Sequence, residues 1–206
     1  YYADRIYQIN LAIAGIAIGT VVLPNLSRYI QTNNKNKINF IQNKALELSI
    51  FLSFPACLAL LIASEQITSS LFGYGSFDIE SVKNSSKALF YFAWGLPAFA
   101  FIKIFSTFLF ARHNTRTPFI FSLISVFINI LISVYFFNKI GFIIIPIATT
   151  ISSWFNTILL LFYLLYNKYF SLYKNFSLCL VSLSHLRVAE ACHMLCLSFF
   201  TSMRYL

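Results

Sequence analysis

Residues 141–166 read GFIIIPIATTISSWFNTILLLFYLLY, a continuous apolar run without one charged side chain. A bilayer core of about 30 Å is crossed by roughly 20 apolar residues in helical form. Backbone groups in lipid must be satisfied within the element, so a run of this length predicts a spanning helix. It lacks the alternation over roughly ten-residue segments that marks a membrane barrel strand. Working outward, four similar runs precede it: 6–26 (IYQINLAIAGIAIGTVVLPNL), 45–64 (ALELSIFLSFPACLALLIAS), 88–110 (ALFYFAWGLPAFAFIKIFSTFLF) and 118–137 (PFIFSLISVFINILISVYFF). The fold class is therefore all-α, a polytopic transmembrane helix bundle with five spanning helices. The composition agrees: 59% of the 206 residues are hydrophobic and only 10% charged, which excludes an ordinary soluble domain and a disordered tail.

The net charge of +9 is not a nucleic-acid signal, because the basic residues sit between apolar runs rather than on a soluble fold. Arg28, Lys35, Lys37 and Lys44 follow the first run, Arg112 and Arg116 the third, and Lys168 and Lys174 the fifth. These alternate linkers carry eight Lys/Arg, against three (Lys83, Lys87, Lys139) in the other two. Positive loops stay in the cytoplasm, so 27–44, 111–117 and 167–175 are expected there, and 65–87 and 138–140 outside. Residues 1–168 form the predicted bundle. The divergent tail, 169–206, is apolar but interrupted by His185, Arg187, Glu190 and His193. It is a weaker candidate for a sixth spanning helix, for an interfacial one, or for the product of a shifted reading frame. Cys192, His193 and Cys196 match no zinc spacing, so no metal is expected there.

Several side chains within the runs invite a functional reading. Gly15 and Gly19 form a GxxxG pair suited to close helix packing. Pro55, Pro97 and Pro146 each remove a backbone donor and predict bent helices around a cavity. Lys103 lies well inside the third run, and intramembrane charges face the bundle interior or a wet cavity. Asp4-Arg5 precedes the first apolar core, and the planar fork of Arg suits phosphate. Asn129, Ser133, Thr149 and Asn156 are polar residues whose default role is interhelical hydrogen bonding. Cys57 reads as a small core hydrophobe. Phosphate loops, HExxH, GxSxG and paired catalytic carboxylates are missing, so no enzyme is expected.

The block YYADR, followed by LPNLSR, LFGYGSFD (71–78), GLPA (95–98) with Lys103, and FARHNTRTP (110–118), resembles the MurJ/MviN family over about residues 1–168. These are the lipid II flippases of the multidrug/oligosaccharidyl-lipid/polysaccharide exporter superfamily. The resemblance implies fourteen helices in two lobes around a cationic cavity. It also implies movement of an undecaprenyl-pyrophosphate-linked peptidoglycan precursor to the outer leaflet of the bacterial inner membrane by alternating access. On it, this chain corresponds to the eighth to twelfth helices of the C-terminal lobe, with an N-terminal lobe missing or supplied in cis or trans. Arg5 and Lys103 then match basic positions expected to meet the pyrophosphate, and Arg112 matches a gating position. Some family members bind sodium between the seventh, eleventh and twelfth helices. Asn129 and Thr149 match two of those ligands, Ser133 stands where an Asp is expected, and no seventh helix is seen. No other cofactor is implied; membrane lipid is the remaining expected partner. The competing readings are an inactive remnant or split-gene fragment, and another exporter of the superfamily carrying drugs or a polysaccharide lipid. The charge pattern predicts that a cysteine replacing Asn36 is labelled by an impermeant thiol reagent from the cytoplasmic side only. Labelling from outside would invert the topology.

Overall fold

The computed structural model describes residues 2–12, 17–72 and 79–170. The helices are α1 (Tyr2–Leu11), α2 (Ala17–Gln31), α3 (Lys35–Phe72), α4 (Ile79–Phe110), α5 (Arg116–Ile140) and α6 (Ile144–Tyr166). A 3-10 turn, Gly141–Ile143, separates α5 from α6. No strand occurs among the described residues. Lys35–Phe72, Glu80–Phe110, Arg116–Lys139 and Gly141–Tyr166 are each long and apolar enough to cross a membrane. The first expected span appears as two shorter helices, α1 and α2; the stretch joining them, with Gly15, lies outside the described residues, as do LFGYGSFD beyond Phe72 and the tail beyond Phe170.

The linkers are shorter than the hydropathy pattern suggests. At about 1.5 Å per residue, the 38 residues of α3 extend about 57 Å, well beyond the hydrocarbon core. Its first turns absorb Lys35, Lys37 and Lys44, so most of the expected 27–44 linker is helix. Likewise α3 and α4 together take in most of the expected 65–87 linker. Hydropathy marks where lipid begins, whereas helices continue into water as long as their hydrogen bonds do.

The proline expectations need revision. Pro146 is the third residue of α6, within the first turn, where a missing N–H leaves no intrahelical bond broken. It starts a helix rather than bending one. Non-helical backbone within α3 lies at Ala63 (φ −108°, ψ 17°), eight residues beyond Pro55. Pro97 lies within α4, and Pro24 within α2.

Helix α4 is the axis of the bundle: α1, α2, α3 and α6 all pack on it, while α5 rests almost entirely on α6. Two apolar clusters divide its length. Ala3, Ile6 and Leu60 meet Leu89, Ala93 and Leu96 at one level. Val22, Leu26, Ala45 and Leu46 meet Ile104, Phe108, Leu160 and Leu164 at the other. Because lipid is as apolar as these side chains, the packing draws on van der Waals contact and polar bonds rather than on exclusion of water.

At the end of the bundle marked by the second cluster, α2, α4 and α6 close with the same cap. Asn33, His113 and Lys168 take left-handed φ values of 50°, 59° and 55°. Each donates its N–H to the carbonyl three residues back: Ile30, Phe110 and Leu165. The following N–H groups, of Asn34, Asn114 and Tyr169, reach back five residues to Tyr29, Leu109 and Leu164. This pairing satisfies carbonyls that the helix end leaves open, and it is most often built on glycine. A left-handed residue with a Cβ costs about 1–2 kcal/mol. Lys168→Gly is therefore expected to stabilise the chain by about 1 kcal/mol in detergent denaturation, net of the greater freedom glycine gains on unfolding. A loss of stability would show that no strain resides there.

Candidate functional site

A cavity of about 670 Å³ lies between α2, α4 and α5. Gly19, Thr20 and Leu23 form its α2 wall, and Pro118, Phe119 and Ser122 its α5 wall. From α4 come Ile102, Lys103, Ser106, Thr107 and Phe110, with Thr115 at the rim. Among the described residues Lys103 is its one charged lining group. Lys103 is exposed, seven residues before the end of α4 at Phe110, about 10 Å in along the axis. No described side chain forms an ion pair with it. The site thus presents a compact cation carrying three donors amid hydroxyls on otherwise apolar walls. Such an arrangement suits an anion whose remaining parts are apolar.

Small side chains make room for this site. A Cβ on Gly19 would stand 3.4 Å from Thr107 Oγ1, so α2 approaches α4 closely beside the cavity. The tighter glycine is Gly95. A Cβ there would meet the Phe99 ring at 3.0 Å and Thr150 Oγ1 at 3.1 Å, which holds α6 close to α4.

Arg5 is placed elsewhere. It is an exposed residue of α1, whose neighbours Ala3 and Ile6 pack at the level of Leu89–Leu96. Lys103 lies seven residues beyond Leu96, about 10 Å further along α4. Arg5 is not among the residues lining the cavity. The structure does not gather the two expected phosphate contacts into one pocket.

Arg112, expected at a gate, is directed into its own chain. One guanidinium nitrogen donates to the Phe108 carbonyl (3.2 Å) and the other to the Tyr169 carbonyl (2.7 Å). The group also lies over the Tyr169 ring, 4.6 Å from its centre. Burial lowers its pKa from the ordinary arginine value, while Tyr169 acts in the opposite direction. The usual value is so high that the group remains charged at neutral pH. Beside it, Asn114 Nδ2 donates to the Tyr163 hydroxyl (3.2 Å), and Asn114 Oδ1 accepts from the Thr117 N–H (3.2 Å). Residues 111–114 and 167–170 therefore share one end of the bundle, as the charge pattern requires. Hydrogen bonds from charged groups contribute about 1.5–3 kcal/mol. Arg112→Ala is expected to lower stability by about 2 kcal/mol in detergent unfolding, with Arg112→Lys intermediate. An unchanged midpoint would mean that the clamp bears no load.

Asn129 and Thr149 do come together, but as a bridge. Asn129 Nδ2 donates to Thr149 Oγ1 (3.2 Å) and Ser152 Oγ (3.3 Å), and Ser133 Oγ donates to Asn129 Oδ1 (3.2 Å). Thr149 Oγ1 already donates to the Ile145 carbonyl, so it can only accept from Asn129. That fixes the amide with its NH2 toward α6. Three or more His, Cys, Asp or Glu do not cluster anywhere among the described residues. A donor-facing amide without a carboxylate does not fit a sodium ion. Ser125 Oγ adds a bond to the Ser152 carbonyl (2.7 Å). These polar contacts tie α5 to α6.

Other residues matter that the hydropathy and motif reading passed over. Thr150 Oγ1 donates to the Tyr91 carbonyl (2.9 Å), Trp154 Nε1 to that of Trp94 (3.1 Å) and Thr157 Oγ1 to that of Ala98 (3.1 Å). Their spacing puts them on one face of α6. From α3, the thiol of Cys57 donates to the Ala93 carbonyl (3.1 Å).

Comparison with known proteins agrees with this architecture. The family profile described as "Lipid II flippase MurJ" matches residues 1–205, a span that takes in the tail. A probable lipid II flippase MurJ of Rhizobium meliloti is 42% identical over 159 residues, covering 77% of this chain and 30% of that protein. One from Rickettsia prowazekii is 35% identical over 162 residues, covering 79% and 32%. The chain thus spans under a third of the length of these curated relatives. A solved structure of lipid II flippase MurJ in an inward closed conformation superposes with a TM-score of 0.71 at 23% identity, covering 99% of this chain and 47% of that one. At that identity the likeness speaks for the fold.

Proposed function

The chain belongs to the MurJ family of lipid II flippases, is a multi-pass membrane protein, and on that premise we propose that it forms part of the transport path for an undecaprenyl-pyrophosphate-linked peptidoglycan precursor. The observation that carries this reading is Lys103: an intramembrane ammonium, without a described counter-ion, opening into an apolar cavity lined with hydroxyls. A lipid-linked pyrophosphate has the complementary character, with concentrated negative charge on an apolar tail. Carrying that charge through hydrocarbon requires a cationic, water-accessible path. Lys103 supplies charge at the cavity, and Arg5 supplies it at the other level of the bundle, so the two act in succession rather than as one clamp.

No covalent bond changes in such a cycle; the protein's task is to expose this path to one leaflet and then the other. The complementary lobe, in cis or from a partner chain, closes the path, and the bacterial inner membrane is the setting. Gating through Arg112 would begin by releasing its bonds to Phe108 and Tyr169. The test is to join the chain to the N-terminal lobe of a matching relative and supply the fusion to cells depleted of their own flippase. Precursor translocation is expected to return, and to fall at least tenfold with Lys103→Ala or Arg5→Ala, about 1.4 kcal/mol or more. A correctly inserted fusion that restores nothing would favour an inactive remnant. Rescue indifferent to both substitutions would remove Lys103 and Arg5 from the path.

A further inference from the structure

Proline at position 97 has no N–H, so the carbonyl four residues before it, that of Ala93, has no intrahelical donor. In hydrocarbon an unpartnered carbonyl costs several kcal/mol, and Ala93 is fully buried. The Cys57 thiol on α3 points at this oxygen and lies 3.1 Å from it. The next carbonyl, of Trp94, takes the indole N–H of Trp154 from α6 at 3.1 Å. Two carbonyls on successive residues, at the point where α4 lacks an amide, thus receive donors from the two helices packed against it.

We propose that Cys57 is a positioning residue that stands in for the amide Pro97 lacks, with Trp154 as its companion on α6. Together they make a three-helix joint in α4. A thiol or indole donor can follow a carbonyl as the helix axis turns, whereas a backbone N–H is fixed in its own turn. Beyond the joint lies the segment of α4 that carries Lys103. The joint is made by α3, α4 and α6 alone, whatever the cargo. It also alters the reading of Cys57: a small apolar residue would fill the same space and leave the Ala93 carbonyl unpartnered.

The test uses the full chain with Cys179, Cys192 and Cys196 changed to Ser, reconstituted in phospholipid vesicles. The infrared S–H stretch of Cys57 is expected at the lowered frequency of a carbonyl-bonded thiol, rising when Pro97→Ala returns an amide to Ala93. In thermal unfolding, Cys57→Ala should lower Tm by about 2–4 °C, Cys57→Ser, whose hydroxyl still donates, should recover most of that loss, and in the Pro97→Ala background Cys57→Ala should have no effect. An S–H band at the free-thiol position with Pro97 present would overturn the proposal. So would an equal Tm loss from Cys57→Ala in both backgrounds. If Pro97→Ala does not insert, the band of the Pro97 chain alone decides.

Discussion

Every carbonyl of α4 within the membrane must find a donor, and Pro97 ensures that one of them cannot find it in its own helix. Helix α4 is contacted by α1, α2, α3 and α6, so how that deficit is met bears on the whole bundle. Cys57 reaches in from α3, while Thr150, Trp154 and Thr157 reach in from α6. Gly95 permits the approach by leaving room for Thr150 and the Phe99 ring. Without water to fill gaps or drive association, such side-chain-to-backbone bonds do work that apolar burial does in a soluble protein.

The periphery follows a different rule. Helix α5 is the most apolar in its setting, with only 6% of its spanning window buried, against 39–44% for the other three long spans. Apolar character cannot attach it, because lipid serves its Phe, Ile and Leu side chains equally well. Ser125 and Asn129 reach across to Thr149 and Ser152, and Ser133, one turn further on, holds the Asn129 amide from within α5, giving α5 a directional seam to α6. Between α5 and the α2–α4 pair the cavity remains, with Lys103 in its wall.

Much of this was legible in the residues. The long apolar runs announced the helices, and the excess of Lys and Arg in alternate linkers put the chain after the third run and the chain after the fifth on one side, where the Arg112–Tyr169 bond joins the ends of α4 and α6. Lys103 was marked by its depth in an apolar run. The interruption in α3 at Ala63 was not legible, because no glycine or proline stands there. Nor was the start of α6 at Pro146's own turn, since a proline in an apolar run looks the same whether it begins a helix or bends one. The partners of Arg112 and Cys57 lie 57 and 36 residues away, beyond any local pattern.

By itself, the sequence determined that the chain is helical, that it spans a membrane several times and which loops lie together. Those properties follow from local quantities: apolar length against bilayer thickness, and loop charge. It also specified that the Ala93 carbonyl would need an outside donor if position 97 lay in a helix, because Pro97 lacks the amide. Only the tertiary structure decided which donor came, that Lys103 and Arg5 occupy different levels, and that Arg112 closes on its own chain. Those are distances between helices, and they depend on how closely small residues let one helix approach the next.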